Sequence, residues 1–394
     1  MKKTIKNLTA GILFVIDVII VWVMMAFILD SFLLTLIQAL IPIIIIIIIR
    51  MKVKPWTVIV SLAALLFSVI SLFVHGTVNY RFCLLVSIFS HILLFNNLVL
   101  EERLYYRLQL FLFLLFSLLV FCYYPESIVN DVPYYRSIFQ VVRINPNIYG
   151  VYVVLAVIEG VGFFALTKKS PLIKNLLSYL IIAIGFALIL YSRSRTCLLS
   201  IFVYTLFFSV KKFRFFQNRT FLLVLSKLAL LCSLLITVTY ILLAQILPEN
   251  LIIIGKGLFS GREEIWLNAY REFKSTWLFG FAHQIEWGNN VSHMHNGMIE
   301  IWCYFGIVPM LAVLILHVHN LGDQNFNINL PVFLGVIAIT INIAFENIFI
   351  SSYFNMIPLL LLLFRTKKTA NQSDSEELKE RQDEKDYGVY TNLQ

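Results

Sequence analysis

Charge is scarce in this chain. Of its 394 residues only 13% are Asp, Glu, Lys or Arg, against about 25% in soluble domains. Apolar bulk takes its place: 60% of residues are hydrophobic, 34 residues are Phe, and the mean hydropathy is +0.85. That balance excludes an ordinary soluble globular chain. Cysteine is also sparse. Cys83, Cys122, Cys197, Cys232 and Cys303 all lie in or beside apolar runs, with no metal-ligand spacing. They read as small apolar packing residues rather than ligands, nucleophiles or disulfide partners. Walker A, GxGxxG and EF-hand patterns are missing, and no internal repeat shows. The start, MKKTIKNLTAGILFVIDVIIVWVMMAF, has a basic head. Its apolar stretch is too long for a signal peptide and no small-residue cleavage site follows, so it reads as a first membrane span.

Apolar windows of about 20 residues recur along the chain, long enough to cross a bilayer. They predict an all-α polytopic membrane protein with about twelve transmembrane helices, near 8–29, 31–49, 56–74, 82–100, 107–124, 148–166, 173–191, 196–210, 221–243, 299–316, 330–350 and 353–364. The formal net charge is +9. The tail from Arg365 has six basic and seven acidic residues, so the positive excess lies in the connections. Lys and Arg concentrate on alternate ones: KKTIK at the start, RMKVKP at 50–55, EERLYYR at 101–107, TKKSPLIK at 167–174, KKFRFFQNR at 211–219 and FRTKK at 364–368. The positive-inside bias assigns that side to the cytoplasm, and both termini with it. The weakly charged HVHNLGDQNFN at 317–327 fits this poorly. Because the charge follows loop parity, it is a topology signal and implies no nucleic acid partner. Residues 1–364 form the transmembrane domain, with one large extracytoplasmic loop at 245–298. Residues 365–394, mixed in charge and poor in apolar residues, read as a disordered cytoplasmic tail or a short solvated helix.

Polar chemistry gathers at few places. In the large loop, FSGREEIWLNAYREFKSTWLFGF opens with Ser260 and Glu263 at capping-box spacing and meets Gly280 at its far end, which predicts a helix. Arg262, Trp266, Phe273 and Trp277 fall within an arc of roughly 60° on it, and Arg271 points the opposite way. An arginine at a helix amino end, beside free N–H groups and the positive dipole end, favours an anion such as a phosphate. The alternative is an amphipathic helix lying on the membrane with its arginine at headgroup level. Arg193 and Arg195, in SRSR, stand on the side that the bias depletes of arginine. They can clamp a diphosphate through their planar forks, or simply snorkel to headgroups. Arg143, in RINPNIYG, and Arg136 add two more arginines on that side, and Pro146 suits a helix start. Asp17, Lys227 and Glu346 are taken as the ionisable groups within spans, which usually face a cavity or a partner. Glu346 is placed near the outer end of its span, level with the histidines.

The stretch NNVSHMHNGMIEIWCYFGIVP sets His293 and His295 just ahead of an apolar run. In an extended segment the two share a face, so a zinc site with His283, Glu286 or Glu300 is one reading. An inert surface pair is another. The third is acid–base chemistry: a neutral imidazole removes a proton from a sugar hydroxyl, and converging arginines stabilise a departing diphosphate.

RINPNIYG, YSRSRTCLL, FSGREEIW, FGF and SHMHNGMIEIWCYFGIVP, in that order, resemble the O-antigen ligase and polymerase superfamily of bacterial envelope proteins. The likeness covers roughly residues 140–350; the first third matches only as generic spans. It implies transfer of glycans from a polyprenyl diphosphate at the outer face of the cytoplasmic membrane. No nucleotide sugar, cofactor or metal is used. It implies that His295, directly before Asn296, is the catalytic base, and that Arg193 or Arg195 together with Arg262 bind the diphosphate. His293, Asn296, Glu300, Arg143, Arg271 and Glu346 are secondary candidates. The expected function is polymerisation of lipid-linked oligosaccharide repeat units by inverting transfer, since no nucleophilic carboxylate pair shows. Partners would be the lipid-linked donor and acceptor, with a chain-length regulator and a flippase. A ligase of the same fold acting on another acceptor, a flippase or other transporter, and a structural assembly partner are the rival readings.

Overall fold

The computed structural model describes the chain except for residues 1, 28–30, 77–80, 101, 130–131, 140–142, 248–251, 254–255, 258–261, 282–284, 288–289, 293–294, 321–325, 328, 346–364 and 368–394. It is mostly helical. Helices α1 (Lys2–Phe27), α2 (Phe32–Ile48), α3 (Pro55–Val74), α4 (Arg81–Asn97), α5 (Glu102–Phe121), α6 (Pro146–Leu166), α7 (Pro171–Ser192) and α8 (Arg195–Val210) lie over the first eight apolar runs. After the short α9 (Arg214–Gln217) come α10 (Arg219–Ile246), α11 (Arg262–Thr276), α12 (Gly297–Phe305), α13 (Ile307–Asn320) and α14 (Leu330–Phe345). Among the described residues five helices are long and apolar enough to cross a membrane. The number is six if the two halves of α10, bent by 49°, make one span. The expected run 353–364 lies outside the described residues.

Helices α6 and α14 form the centre. Almost every residue from Tyr149 to Gly162 and from Pro331 to Ala344 is buried. Helix α6 packs against α5, α7, α8 and α14, and α14 packs in turn against α8, α10 and α12. Both are largely apolar on every side, with Glu159 in α6 and Thr340 and Asn342 in α14 as buried polar exceptions, as helices shielded from water and from lipid should be. The outer helices instead expose Leu, Ile and Phe along one side, such as Ile59, Leu62, Leu66 and Phe73 on α3. In a bilayer that face meets acyl chains.

Two expectations need correction. The run 299–316 is not one helix. It breaks at Gly306, whose φ is +89°, because the segment after α11 enters there. Phe281 N–H donates to Cys303 O at 2.5 Å and Ile307 N–H donates to Leu278 O at 3.3 Å. A Cβ on Gly306 would collide with Leu278 O, and one on Gly280 would stand 2.5 Å from Cys303 O. The connection expected as a loop at 125–147, between the spans 107–124 and 148–166, is likewise not a plain loop. Residues 123–144 hold a three-stranded antiparallel sheet of Tyr123–Val129, Val132–Ser137 and Arg143–Ile144. Its Tyr, Ile and Val are residue types that strands favour, and Tyr135 stacks on Tyr149 of α6 at 3.9 Å between ring centroids.

At the opposite end of the bundle, Val99–Leu100, Arg365–Lys367 and Phe326–Asn327 form a second three-stranded ladder with Arg365–Lys367 in the middle. The start of the tail is therefore a paired strand. Within 245–298, α11 packs on α10, and Ile285–Trp287 pairs with Asn290–Ser292 as a hairpin.

Candidate functional site

The start of α6, the α7–α8 junction and the end of α14 meet at one end of the bundle. Asn145 caps α6 by accepting from Ile148 N–H at 3.0 Å, and Pro146 takes the first helical position. Ser194 Oγ donates to Asn147 Oδ1 at 2.9 Å. Cys197 Sγ lies 3.4 Å from Asn147 O and 3.2 Å from Asn342 Oδ1. Asn342 Nδ2 donates to Ser200 Oγ at 2.8 Å. The stretches RINPNIYG and SRSRTC are thus tied to each other and to α14.

Three candidate arginines stand at this end in different settings. Arg193 is exposed and occupies the left-handed cap of α7 (φ +55°). Arg195 is half-buried at the head of α8, just before its apolar part. Burial, above all, pulls the Arg195 guanidinium below its usual pKa; Tyr240 opposes that shift and Arg262 adds to it. Arg195 and Arg262, far apart in the chain, are therefore within electrostatic reach. Arg262 is half-buried at the first turn of α11, its guanidinium carbon 6.0 Å from the centroid of the Phe345 ring. Two guanidinium groups so placed repel each other, and an anion between them relieves the repulsion.

His295 is half-buried and directly precedes Asn296. Asn296 is fully buried, and its Oδ1 caps α12 by accepting from Met298 and Ile299 N–H at 3.0 Å each. Its Nδ2 donates to Ala344 O at 3.1 Å. Since Ala344 adjoins Phe345, the His295–Asn296 turn and Arg262 are fixed to the same end of α14. The His295 backbone is left-handed, with φ +48°. Among the described residues only Arg50, Arg193 and His295 are non-glycine positions with positive φ. Such conformations cost energy and tend to cluster at functional sites.

The aromatic face of α11 is not an open platform. Trp266 and Phe273 are buried in a cluster with Ile241, Ala269, Phe281, Ile299 and Cys303, and only Trp277 is exposed. Phe273 stacks on Trp302 at 4.0 Å between ring centroids. The helix packs against α10, with Arg262 in its first turn. Arg271 is exposed and donates to Asn268 Oδ1 at 3.2 Å.

The secondary candidates are dispersed. Glu300 is buried one turn into α12 and pairs with Arg81 Nη1 at 2.7 Å. Arg143 pairs its backbone with Arg136 across the small sheet, and Arg136 is itself bridged to Glu126 at 2.6 Å. His293, Glu346, His283 and Ser260 lie outside the described residues. Lys227 is exposed on α10.

Sequence reasoning missed several polar residues. Arg81, which lies 4.2 Å from the Tyr304 ring centroid, follows the HGTVNY turn. It is another arginine on the arginine-poor side, open to the argument made for SRSR. Glu159, a carboxyl within VVLAVIEGVGFF, belongs beside Asp17 among the ionisable groups in spans. It is fully buried and accepts from Gln109 Nε2 through Oε2. His91 belongs there too. Tyr240 carries no motif and could be found only through its neighbours.

Comparison with protein families, with curated proteins and with solved structures finds no match.

Proposed function

We propose that the chain is a polysaccharide polymerase that joins lipid-linked oligosaccharide units at the outer face of a bacterial cytoplasmic membrane, with twelve crossings and both termini cytoplasmic. One observation carries the reading: Arg262, within electrostatic reach of Arg195, stands by Phe345 at the end of α14 to which the His295–Asn296 turn is anchored. In the reaction, an acceptor hydroxyl loses its proton to the His295 imidazole. Its oxygen attacks the anomeric carbon, and the bond from that carbon to the diphosphate oxygen breaks. The polyprenyl diphosphate leaves with the electron pair, held by Arg195, Arg262 and, from the surface, Arg193. A single displacement inverts the anomeric centre. Guanidinium groups meet the leaving charge where other enzymes use a metal ion, so neither metal nor cofactor is required. Asn296 and Glu300 act through α12, by fixing where its first turn stands. A ligase would share every step and differ only in the acceptor.

The test is the chain-length distribution of lipid-linked glycan made by variants present at equal membrane abundance. His295→Ala should lose detectable polymer and accumulate single repeat units, since a positioned base contributes about 10²–10⁴-fold. His293→Ala should retain polymer. Long chains from His295→Ala would remove the base and, with it, the polymerase.

A second reading, a lipid-linked oligosaccharide transporter, is favoured by other residues. The Asp17–His91 pair and Glu159 are buried ionisable groups well inside spans, where transporters place ion and proton sites. It predicts movement of the lipid-linked glycan between leaflets with no change in glycan length.

A further inference from the structure

Two ionisable side chains that the proposed chemistry does not use face each other inside the bundle. Asp17 lies mid-way along α1, eight residues from Thr9, where the apolar span begins, or about 12 Å at 1.5 Å per residue. His91 lies on α4. Both are completely buried, and Asp17 Oδ2 stands 2.7 Å from His91 Nε2. The other ring nitrogen, Nδ1, stands 2.7 Å from the carbonyl oxygen of Ser87.

Counting hydrogens settles how many protons these contacts need. A carbonyl oxygen can only accept, so Nδ1 carries a hydrogen. With Nδ1 protonated, a neutral imidazole has a bare Nε2, and a bare nitrogen cannot stand 2.7 Å from a bare carboxylate oxygen, because both are acceptors. One more proton must lie between them. It sits either on Nε2, giving an imidazolium and a carboxylate, or on Oδ2, giving an imidazole and a carboxylic acid. Both arrangements are neutral overall.

The surroundings argue the same way. Helix α2 packs on α1 and on α4, and α3 packs on α4; neither carries an ionisable side chain between its caps. On α13, which also meets α4, His319 stands 3.5 Å from Lys54 and edge-on to Trp56. The charged residues of α5 stand in its first two turns. Among the described residues no cation other than His91 itself pairs with Asp17, and an uncompensated charge in a dry interior is costly. Asp17 Oδ1 is buried without a partner, which is tolerable for a neutral pair and costly for a lone carboxylate.

We infer that Asp17 and His91 form a proton-binding site within the membrane, in which one bound proton joins α1 to α4. The ligand is a proton and no metal is involved. The inference is independent of the glycosyl-transfer reading and holds equally for a polymerase or a transporter.

The test is solid-state NMR on the full chain in lipid bilayers, with ¹⁵N-histidine and ¹³C-aspartate. A dipolar contact between a ring nitrogen and an aspartate Cγ identifies the pair in the unaltered protein, so no variant has to fold for the result to count. Two spectra support the site: two protonated ring nitrogens beside a carboxylate, or one protonated nitrogen beside a protonated carboxyl. A singly protonated ring beside an ionised carboxylate overturns it, as does the lack of any such contact. Asp17→Asn supplies a second reading. Its amide donates to Nε2 without the added proton, so the His91 ring should then show one N–H and the contact to an aspartate Cγ should vanish. An unchanged spectrum in that variant would also overturn the assignment.

Discussion

Arg262 and Arg271 stand on one helix with the same side chain and opposite surroundings. Arg262 is half-buried beside Phe345 and within electrostatic reach of Arg195, at the helix end where backbone N–H groups point outward. Arg271 is exposed and bonded only locally, to Asn268. Lysine keeps the charge and loses the planar fork. Arg262→Lys should therefore cut polymer formation by about tenfold or more, the size of one lost charge-assisted hydrogen bond. Arg271→Lys should stay within about twofold. Rates measured at equal protein level check this, and equal losses would mean that Arg262 does not face the diphosphate. On the proposed mechanism the same arginines take the leaving charge, so activity of purified protein should survive EDTA, and loss restored by magnesium or zinc would reverse that. In the sequence, the histidine pair, SRSR and the arginine of SGR stand out by their chemistry, while the choice of His295 beside Asn296 rests on the family resemblance. The structure fixes Asn296 to the end of α14, with Arg262 beside Phe345. Glu159 and Arg81 were equally visible and were passed over, although the criteria applied to Asp17 and SRSR select them. Their partners, Gln109 and Glu300, are tertiary facts that no spacing in the chain encodes.

At the scale of elements, hydropathy locates helices well because a span must be apolar over its whole length. It does not locate a break made by another segment. The interruption at Gly306 exists because residues 278–281 dock against it, and an apolar run containing one glycine gives no sign of that docking. Gly306→Ala places a Cβ against Leu278 O in a backbone conformation that side chains rarely adopt. It should lower the unfolding midpoint in detergent, or the amount of folded protein in the membrane. The aromatic stripe of α11 misleads for a related reason. A stripe at helical spacing is what either a ligand platform or a packing face requires, and here α10 and α12 cover it. Trp266→Ala should cost about 3–5 kcal/mol, as expected for emptying a buried aromatic site. A fall in stability with little change in the rate of the remaining folded protein would mark packing. The reverse would restore the platform. The small sheet at 123–144 was missed because strands of two to seven residues between spans carry little periodic signal.

For the whole molecule, orientation decides which chemistry is available, because a lipid-linked donor is presented on one side only. On the proposed reading, the basic connections at 50–55, 167–174 and 211–219 face the cytoplasm, as the positive-inside bias expects. A cysteine introduced at Asn289 should react with a membrane-impermeant thiol reagent in intact cells, and one at Gln217 should not. The opposite pattern would overturn the outer-face reaction.

The ladder of Val99–Leu100, Arg365–Lys367 and Phe326–Asn327 also bears on how the protein is made. Its middle strand is the last of the three to leave the ribosome. At roughly 5–20 residues per second, the strand after α4 waits on the order of tens of seconds for the partner that pairs beside it. Until then this end of the bundle carries two separate edges. Closing it waits for Arg365–Lys367 to emerge, and a chain that stopped before Arg365 would never take that step.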